Sequence, residues 1–107
     1  IARKLYKKTP VIYSYFSYRA VGYYWKTQLN ELSKVYALQN FFPEVNHNEI
    51  EVNNLNNFEV VNLKEKKINL ASIVYYMYSA DCVAYYLSQL RKVNPLKTPV
   101  IDKIKKR

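Results

Sequence analysis

Few side chains in this sequence suit bond chemistry. One histidine (His47), one cysteine (Cys82) and one glycine (Gly22) cannot supply a Cys/His metal set, a glycine-rich phosphate cradle or a Cys–His nucleophile pair. The expectation is therefore no catalytic residue, no metal and no cofactor. His47 falls in an asparagine-rich stretch, where a solvated imidazole is the ordinary state. The polar group that stands out is Asp81, the single acid in a run from Ile68 to Leu90 that contains no Lys or Arg. On a helix, Ala80, Ala84 and Ser88 recur four apart with Asp81 beside them. Small side chains at that spacing let a second helix approach closely, and an acid buried at that depth needs a partner or water. A second group mixes rings and cations: Tyr15, Tyr18, Arg19, Tyr23 and Trp25, with Lys26. Such a set suits a membrane interface or a protein partner. It could also stack bases while its cations hold phosphate, but no recognisable RNA-binding motif accompanies it.

The elements that would position these groups read as helices. The apolar run is bracketed by Lys64, Lys66 and Lys67 and by Arg91 and Lys92. Its length matches a bilayer's hydrocarbon core, and its five tyrosines suit the wet edges. A globular helix leaves one face to water, whereas this run is uncharged nearly all round, so residues 66–93 are expected to form a single transmembrane helix. A buried helix of a globular core is the competing reading. Upstream, Thr9-Pro10 reads as an N-cap followed by Pro at the first helical position. Val11, Tyr15, Tyr18, Gly22, Trp25, Leu29, Leu32 and Tyr36 then alternate four- and three-residue steps. With Tyr13, Phe16, Tyr23 and Tyr24 off that stripe, residues 1–39 are expected to be a basic N-terminus and an interfacial amphipathic helix ended by Pro43. Residues 40–65 form an asparagine-rich connector, in which Val52, Leu55 and Phe58 allow a short helix or turn. Residues 94–107 form a basic tail, with Thr98 capping a short helix loaded by Lys103, Lys105, Lys106 and Arg107. The fold class expected is all-α.

Charge is uneven over the 107 residues. The formal net charge is +9, yet Val35 to Leu63 carries Glu44, Glu49, Glu51 and Glu59 without a single cation. Basic ends of this kind suit nucleic acid, anionic lipid or an acidic partner. The opening IARKLYKK is compatible with the tail of a mitochondrial presequence, and one cysteine excludes an internal disulfide.

Taken together, Tyr23-Tyr24 with Lys26, then Glu31-Leu32-Ser33-Lys34, Tyr36 and Pro43, followed by Asp81, Ala84-Tyr85-Tyr86, Ser88 and Arg91-Lys92, resemble subunit g of the mitochondrial F1Fo ATP synthase. That family's glycine dimer motif is absent, and Ala80, Ala84 and Ser88 would stand in for it. The resemblance implies a non-catalytic accessory subunit of the membrane part, supporting dimerisation and curvature of the mitochondrial inner membrane. Its partners would be a subunit e-like helix and anionic lipid such as cardiolipin, with no small-molecule substrate and no nucleic acid. Proton transport would belong to other subunits. The alternatives are a supernumerary subunit of another respiratory complex and a basic RNA-contacting ribosomal or mitoribosomal protein.

Overall fold

The stretch Thr9-Pro-Val-Ile-Tyr-Ser-Tyr15 is rich in β-branched and aromatic residues, which favour a pleated, packed surface. In the computed structural model, which describes residues 1–43 and 57–106, it is a strand. The element order is α1 (Ala2–Leu5), β1 (Thr9–Tyr15), a 3-10 turn (Phe16–Tyr18), α2 (Arg19–Leu32), β2 (Leu38–Phe42), β3 (Phe58–Leu63), α3 (Leu70–Arg91) and α4 (Pro99–Lys105). The three strands form one parallel sheet in the order β2-β1-β3. Val11 is opposite Leu38 on one side and Val60 on the other. The architecture is mixed α/β, which overturns the all-α expectation.

The error has a physical cause. A central parallel strand is covered on both faces, so it reads as a continuous apolar run instead of an alternation. Over a short stretch such a run cannot be told from a helix by periodicity. Pro10 lacks an N–H, but near the start of β1 this removes only a terminal ladder bond. The long helix expected over residues 9–39 reduces to α2, whose inner face carries the buried Val21, Trp25 and Leu29. Gly22 lets this helix approach β1 closely, because a Cβ there would stand 3.2 Å from Ser14 Oγ.

The transmembrane expectation is also overturned. Among the described residues no helix is long and apolar enough to cross a membrane, because tyrosine, serine and Asp81 dilute the aliphatic residues of α3. The helix starts where the Asn69 side chain accepts from Ala71 N at 2.9 Å and Ser72 N at 3.4 Å, and it ends at Lys92 in the left-handed region. Its inner face, Ala80, Ala84, Leu87 and Ser88, is buried. The core joins Leu5, Ile12, Tyr18, Val21, Trp25, Leu29, Ala37, Val61, Leu63 and these α3 alanines. In α4, Thr98 stands at the N-cap with Pro99 first in the helix, and its hydroxyl donates to Asp102 Oδ1 at 3.2 Å. His47, Val52, Leu55 and Arg107 lie outside the described residues, while Phe58 opens β3.

Candidate active site

The apolar stripe of α2 gives way to polar residues in its last turn, Gln28, Asn30 and Glu31, and the chain then turns back toward β2. Lys34 makes that turn with φ 57°, a left-handed conformation that glycine adopts without steric cost and lysine does not. The turn is clamped to α3. Arg91 donates from Nε to the Ser33 carbonyl at 2.8 Å and from a terminal guanidinium nitrogen to the Lys34 carbonyl at 3.1 Å. The Ser33 hydroxyl, fully buried, donates to the Ala84 carbonyl at 2.6 Å. Asn30 Oδ1 accepts from Ala37 N at 3.2 Å, and Lys34 Nζ donates to the Glu31 carbonyl. Backbone carbonyls left over at a helix end thus find partners, and the positions of Glu31 and Lys34 are set.

One turn earlier, Asp81 Oδ1 accepts from the Tyr24 hydroxyl at 2.7 Å and from Gln28 Nε2 at 2.8 Å. The hydrogen bond to Asp81 pushes the Tyr24 phenol up to about 12, with burial and the Asp81 charge adding to it. This network fixes α2 against α3 ahead of the turn.

Beyond the turn lies a cavity of about 700 Å3. Glu31, Lys34 and Tyr36 line it from the α2 side; Asn94, Lys97 and Thr98 line it from the segment joining α3 to α4. A carboxylate, two ammonium groups, amide and hydroxyl groups thus surround a mostly apolar hollow, the usual composition of a small-molecule site. An open parallel sheet more often binds ligands at the carboxyl ends of its strands, where the connections diverge. Here the connections that leave β1 and β3 at that end are tied to each other. Ser17 Oγ donates to the Lys66 carbonyl at 2.9 Å, Tyr18 OH donates to the Lys67 carbonyl at 2.5 Å, and Lys66 Nζ lies 5.0 Å from the centre of the Tyr15 ring. No group of three or more His, Cys, Asp or Glu able to hold a metal occurs among the described residues.

The residues singled out from sequence lie elsewhere. Ala80, Ala84 and Ser88 are buried in α3, and Asp81 is half-buried between Tyr24 and Gln28. Tyr18 and Trp25 are core residues. Tyr15 is half-buried on β1 with its ring 5.7 Å from that of Phe42. Arg19 is exposed with its guanidinium 3.8 Å from the centre of the Phe16 ring, and Tyr23 is exposed. None of these lines the cavity. Glu31, Lys34, Lys97 and Thr98, which do, were not proposed as a site from sequence. The available signal was the polar break Asn30-Glu31 at the end of an apolar helix stripe.

The model of one protein family, described as the bacterial phospho-glucose isomerase C-terminal SIS domain, matches residues 1–67 and 53–107. The chain belongs to this family. Curated relatives named bifunctional phosphoglucose/phosphomannose isomerase include those of Thermoplasma acidophilum, 32% identical over 100% of this chain and 45% of the relative, and Thermoplasma volcanium, 31% identical over 99% and 45%. The Aquifex aeolicus protein of the same name is 28% identical over 98% and 44%. A solved structure of a glucose-6-phosphate isomerase like protein from Thermus thermophilus shares the fold, with a TM-score of 0.65 and 19% identity over 88% of this chain and 41% of that one. The SIS chain thus spans a little under half the length of the curated relatives it matches. The alignment to the Thermoplasma acidophilum protein runs over 143 positions for 107 residues, and the two family matches meet at residues 53–67.

Family membership overturns the resemblance to ATP synthase subunit g. With it fall the accessory, non-catalytic role, the subunit e-like and cardiolipin partners, the respiratory and ribosomal alternatives and the placement in the mitochondrial inner membrane. Short sets such as Glu31-Leu32-Ser33-Lys34 carry too little information to distinguish the end of a membrane-surface helix from the end of α2 in an SIS domain.

Proposed function

We propose that this chain supplies part of the active site of a sugar-phosphate isomerase acting on glucose and mannose phosphates, with Glu31 as the proton-transfer base. Family membership supports the reaction class. The observation that carries the residue assignment is the shared cavity of Glu31 and Lys34 with Lys97 and Thr98. Converting an aldose phosphate into its ketose moves one proton from C2 to C1 and a second from the O2 hydroxyl to O1, with negative charge passing through the sugar oxygens on the way. A carboxylate within reach takes the proton from C2 and returns it to C1, and positioned general bases of this kind typically contribute a factor of about 100 to 10,000 in rate. Ammonium groups steady the developing oxyanion and the phosphate. Lys34 and Lys97 serve those charges, while Asn94 and Thr98 offer hydrogen bonds to sugar hydroxyls. The end of α2, held by Arg91 and Ser33, fixes the backbone from which the exposed Glu31 side chain projects.

Two measurements on the full chain test this. NMR titration with a hexonate 6-phosphate, which cannot isomerise, is expected to shift the resonances of Glu31, Lys34 and Lys97. Loss of deuterium from glucose 6-phosphate labelled at C2 is expected to slow by about 100-fold or more in Glu31→Gln, with binding of the hexonate changed only a few fold. Absence of shifts at millimolar ligand, or undiminished exchange in Glu31→Gln, refutes the assignment.

A further inference from the structure

Helices α2 and α3 both end on a lysine in the left-handed region, Lys34 with φ 57° and Lys92 with φ 58°. A side chain is disfavoured there, so each turn must be held by its surroundings. At the end of α3 the backbone does this. Lys92 N donates to the Gln89 carbonyl at 3.1 Å and Val93 N to the Ser88 carbonyl at 3.0 Å, the paired closure usual around a left-handed residue. At the end of α2 the backbone bonds converge on one acceptor, the Leu29 carbonyl, from Ser33 N at 3.2 Å and Val35 N at 3.3 Å. The carbonyls of Ser33 and Lys34 are taken by Arg91, at 2.8 and 3.1 Å.

We infer that Arg91 is a positioning residue of the site, acting through Lys34. The two carbonyls it grips belong to the peptide groups on either side of the Lys34 Cα. Those groups are planar, so their orientations are the φ and ψ of Lys34. Arg91 thereby fixes the turn from which the Lys34 ammonium serves the cavity. This inference rests on the isomerase reading above. Arg91 is not part of the cavity lining, so it does not meet the sugar phosphate itself. It precedes Asn94 on the opposite wall by three residues, and the same two bonds therefore set the spacing of the walls. The Ser33 hydroxyl, bonded to the Ala84 carbonyl at 2.6 Å, ties down Ser33 alone.

Arginine is the side chain this task needs. Its planar fork presents N–H donors at fixed spacing, whereas a lysine ammonium is a point charge on a flexible stem. Neither acceptor is charged, so geometry and not ion pairing selects it.

The test is titration of the full chain with hexonate 6-phosphate at fixed ionic strength. Arg91→Ala is expected to weaken binding about tenfold or more, since a small misplacement caused by a distant change can cost about 100-fold. Arg91→Lys keeps the charge and the stem but not the fork; it is expected to lose nearly as much while retaining the wild-type circular dichroism. Guanidinium ion at tens of millimolar restores most of the affinity of Arg91→Ala, and sodium chloride at equal ionic strength does not. In the Lys34→Gly background, Arg91→Ala alters affinity by less than about twofold, because glycine holds the turn unaided and no ammonium remains to be placed. Without ligand, the Cα and Cβ resonances of Lys34 move away from left-handed values in Arg91→Ala. Unchanged affinity in both Arg91 variants overturns the inference, and so does a loss of equal size with and without Lys34, which would make Arg91 a general support of the fold. A wild-type chain that does not bind the hexonate refutes the isomerase reading and this inference with it, whereas a wild type that binds and is indifferent to Arg91 overturns the inference alone.

Discussion

Tyr24 and Lys34 each stand in an unusual state for an identifiable reason. The Tyr24 hydroxyl donates to Asp81, and that bond, more than burial or charge, holds its pKa at about 12 instead of 10.0. A raised phenol pKa means that the folded chain holds its proton longer than the unfolded chain. The resulting stability is complete below about pH 10 and is lost as pH rises through about 12. In 13C-tyrosine NMR, Tyr24 is expected to titrate last among resolved tyrosines unless another shares its environment. Asp81→Ala should return it toward the ordinary range. Asp81→Asn should move it only part of the way, because the amide still accepts the bond but carries no charge. A titration of Tyr24 unmoved by Asp81→Ala sinks this account. Lys34 sits in the left-handed region at the end of α2, where a side chain costs about 1 kcal/mol relative to glycine. Strain of this sort persists where surrounding structure enforces it, and it clusters at functional sites. Lys34→Gly is therefore expected to leave stability unchanged or raise it by up to about 1 kcal/mol, while weakening hexonate 6-phosphate binding. Lower stability with unchanged binding would show that the cation is structural only.

The α2–α3 contact decides how the cavity is built. Ala84 is fully buried, and its carbonyl accepts from the buried Ser33 hydroxyl. Enlarging the side chain there must separate the helices or distort rotamers, so Ala84→Leu is expected to cost about 1–3 kcal/mol in urea unfolding. Asp81→Asn, half-buried and still an acceptor, should cost less than about 1 kcal/mol. A reversed order would assign the contact to charge instead of packing. The same contact explains what the sequence could and could not reveal. Helix ends are local chemistry: the Asn69 side chain caps α3, and Thr98-Pro99 opens α4. A helix near residues 66–93 and a helix start at Thr98-Pro99 were therefore readable, although the Thr98 side chain makes no capping bond to the α4 backbone. The environment of α3 was not, since the small residues Ala80, Ala84 and Ser88 mark close packing equally well in lipid and in a globular core. Nor was the sheet legible. Its strands, at Thr9–Tyr15, Leu38–Phe42 and Phe58–Leu63, pair across long separations, and β1 has no exposed face to impose alternation. Glu31 and Lys34 meet Lys97 and Thr98 only because α3 returns the chain to the end of α2, and no spacing along the chain encodes that meeting.

The whole molecule adds a field to the site. Seventeen Lys and Arg against eight Asp and Glu draw any phosphate ester toward the surface, and the cavity focuses that attraction between Lys34 and Lys97. Salt separates the two contributions. Long-range attraction is screened over about 10 Å at 0.1 M ionic strength and about 3 Å at 1 M, whereas a phosphate held directly by an ammonium group in a cavity is screened less. Hexonate 6-phosphate affinity for the full chain is therefore expected to fall several-fold between about 0.05 and 0.5 M NaCl. Lys34→Gln and Lys97→Gln should each lower affinity at every salt concentration and flatten its decline. Changing Lys4, which lies on α1 and lines no wall of that cavity, removes the same unit of charge. Lys4→Gln should therefore reduce only the screened, long-range part and leave high-salt binding intact. Equal losses for Lys4→Gln and Lys34→Gln at high salt would mean that phosphate is attracted by net charge alone, and the cavity would lose its claim to the substrate.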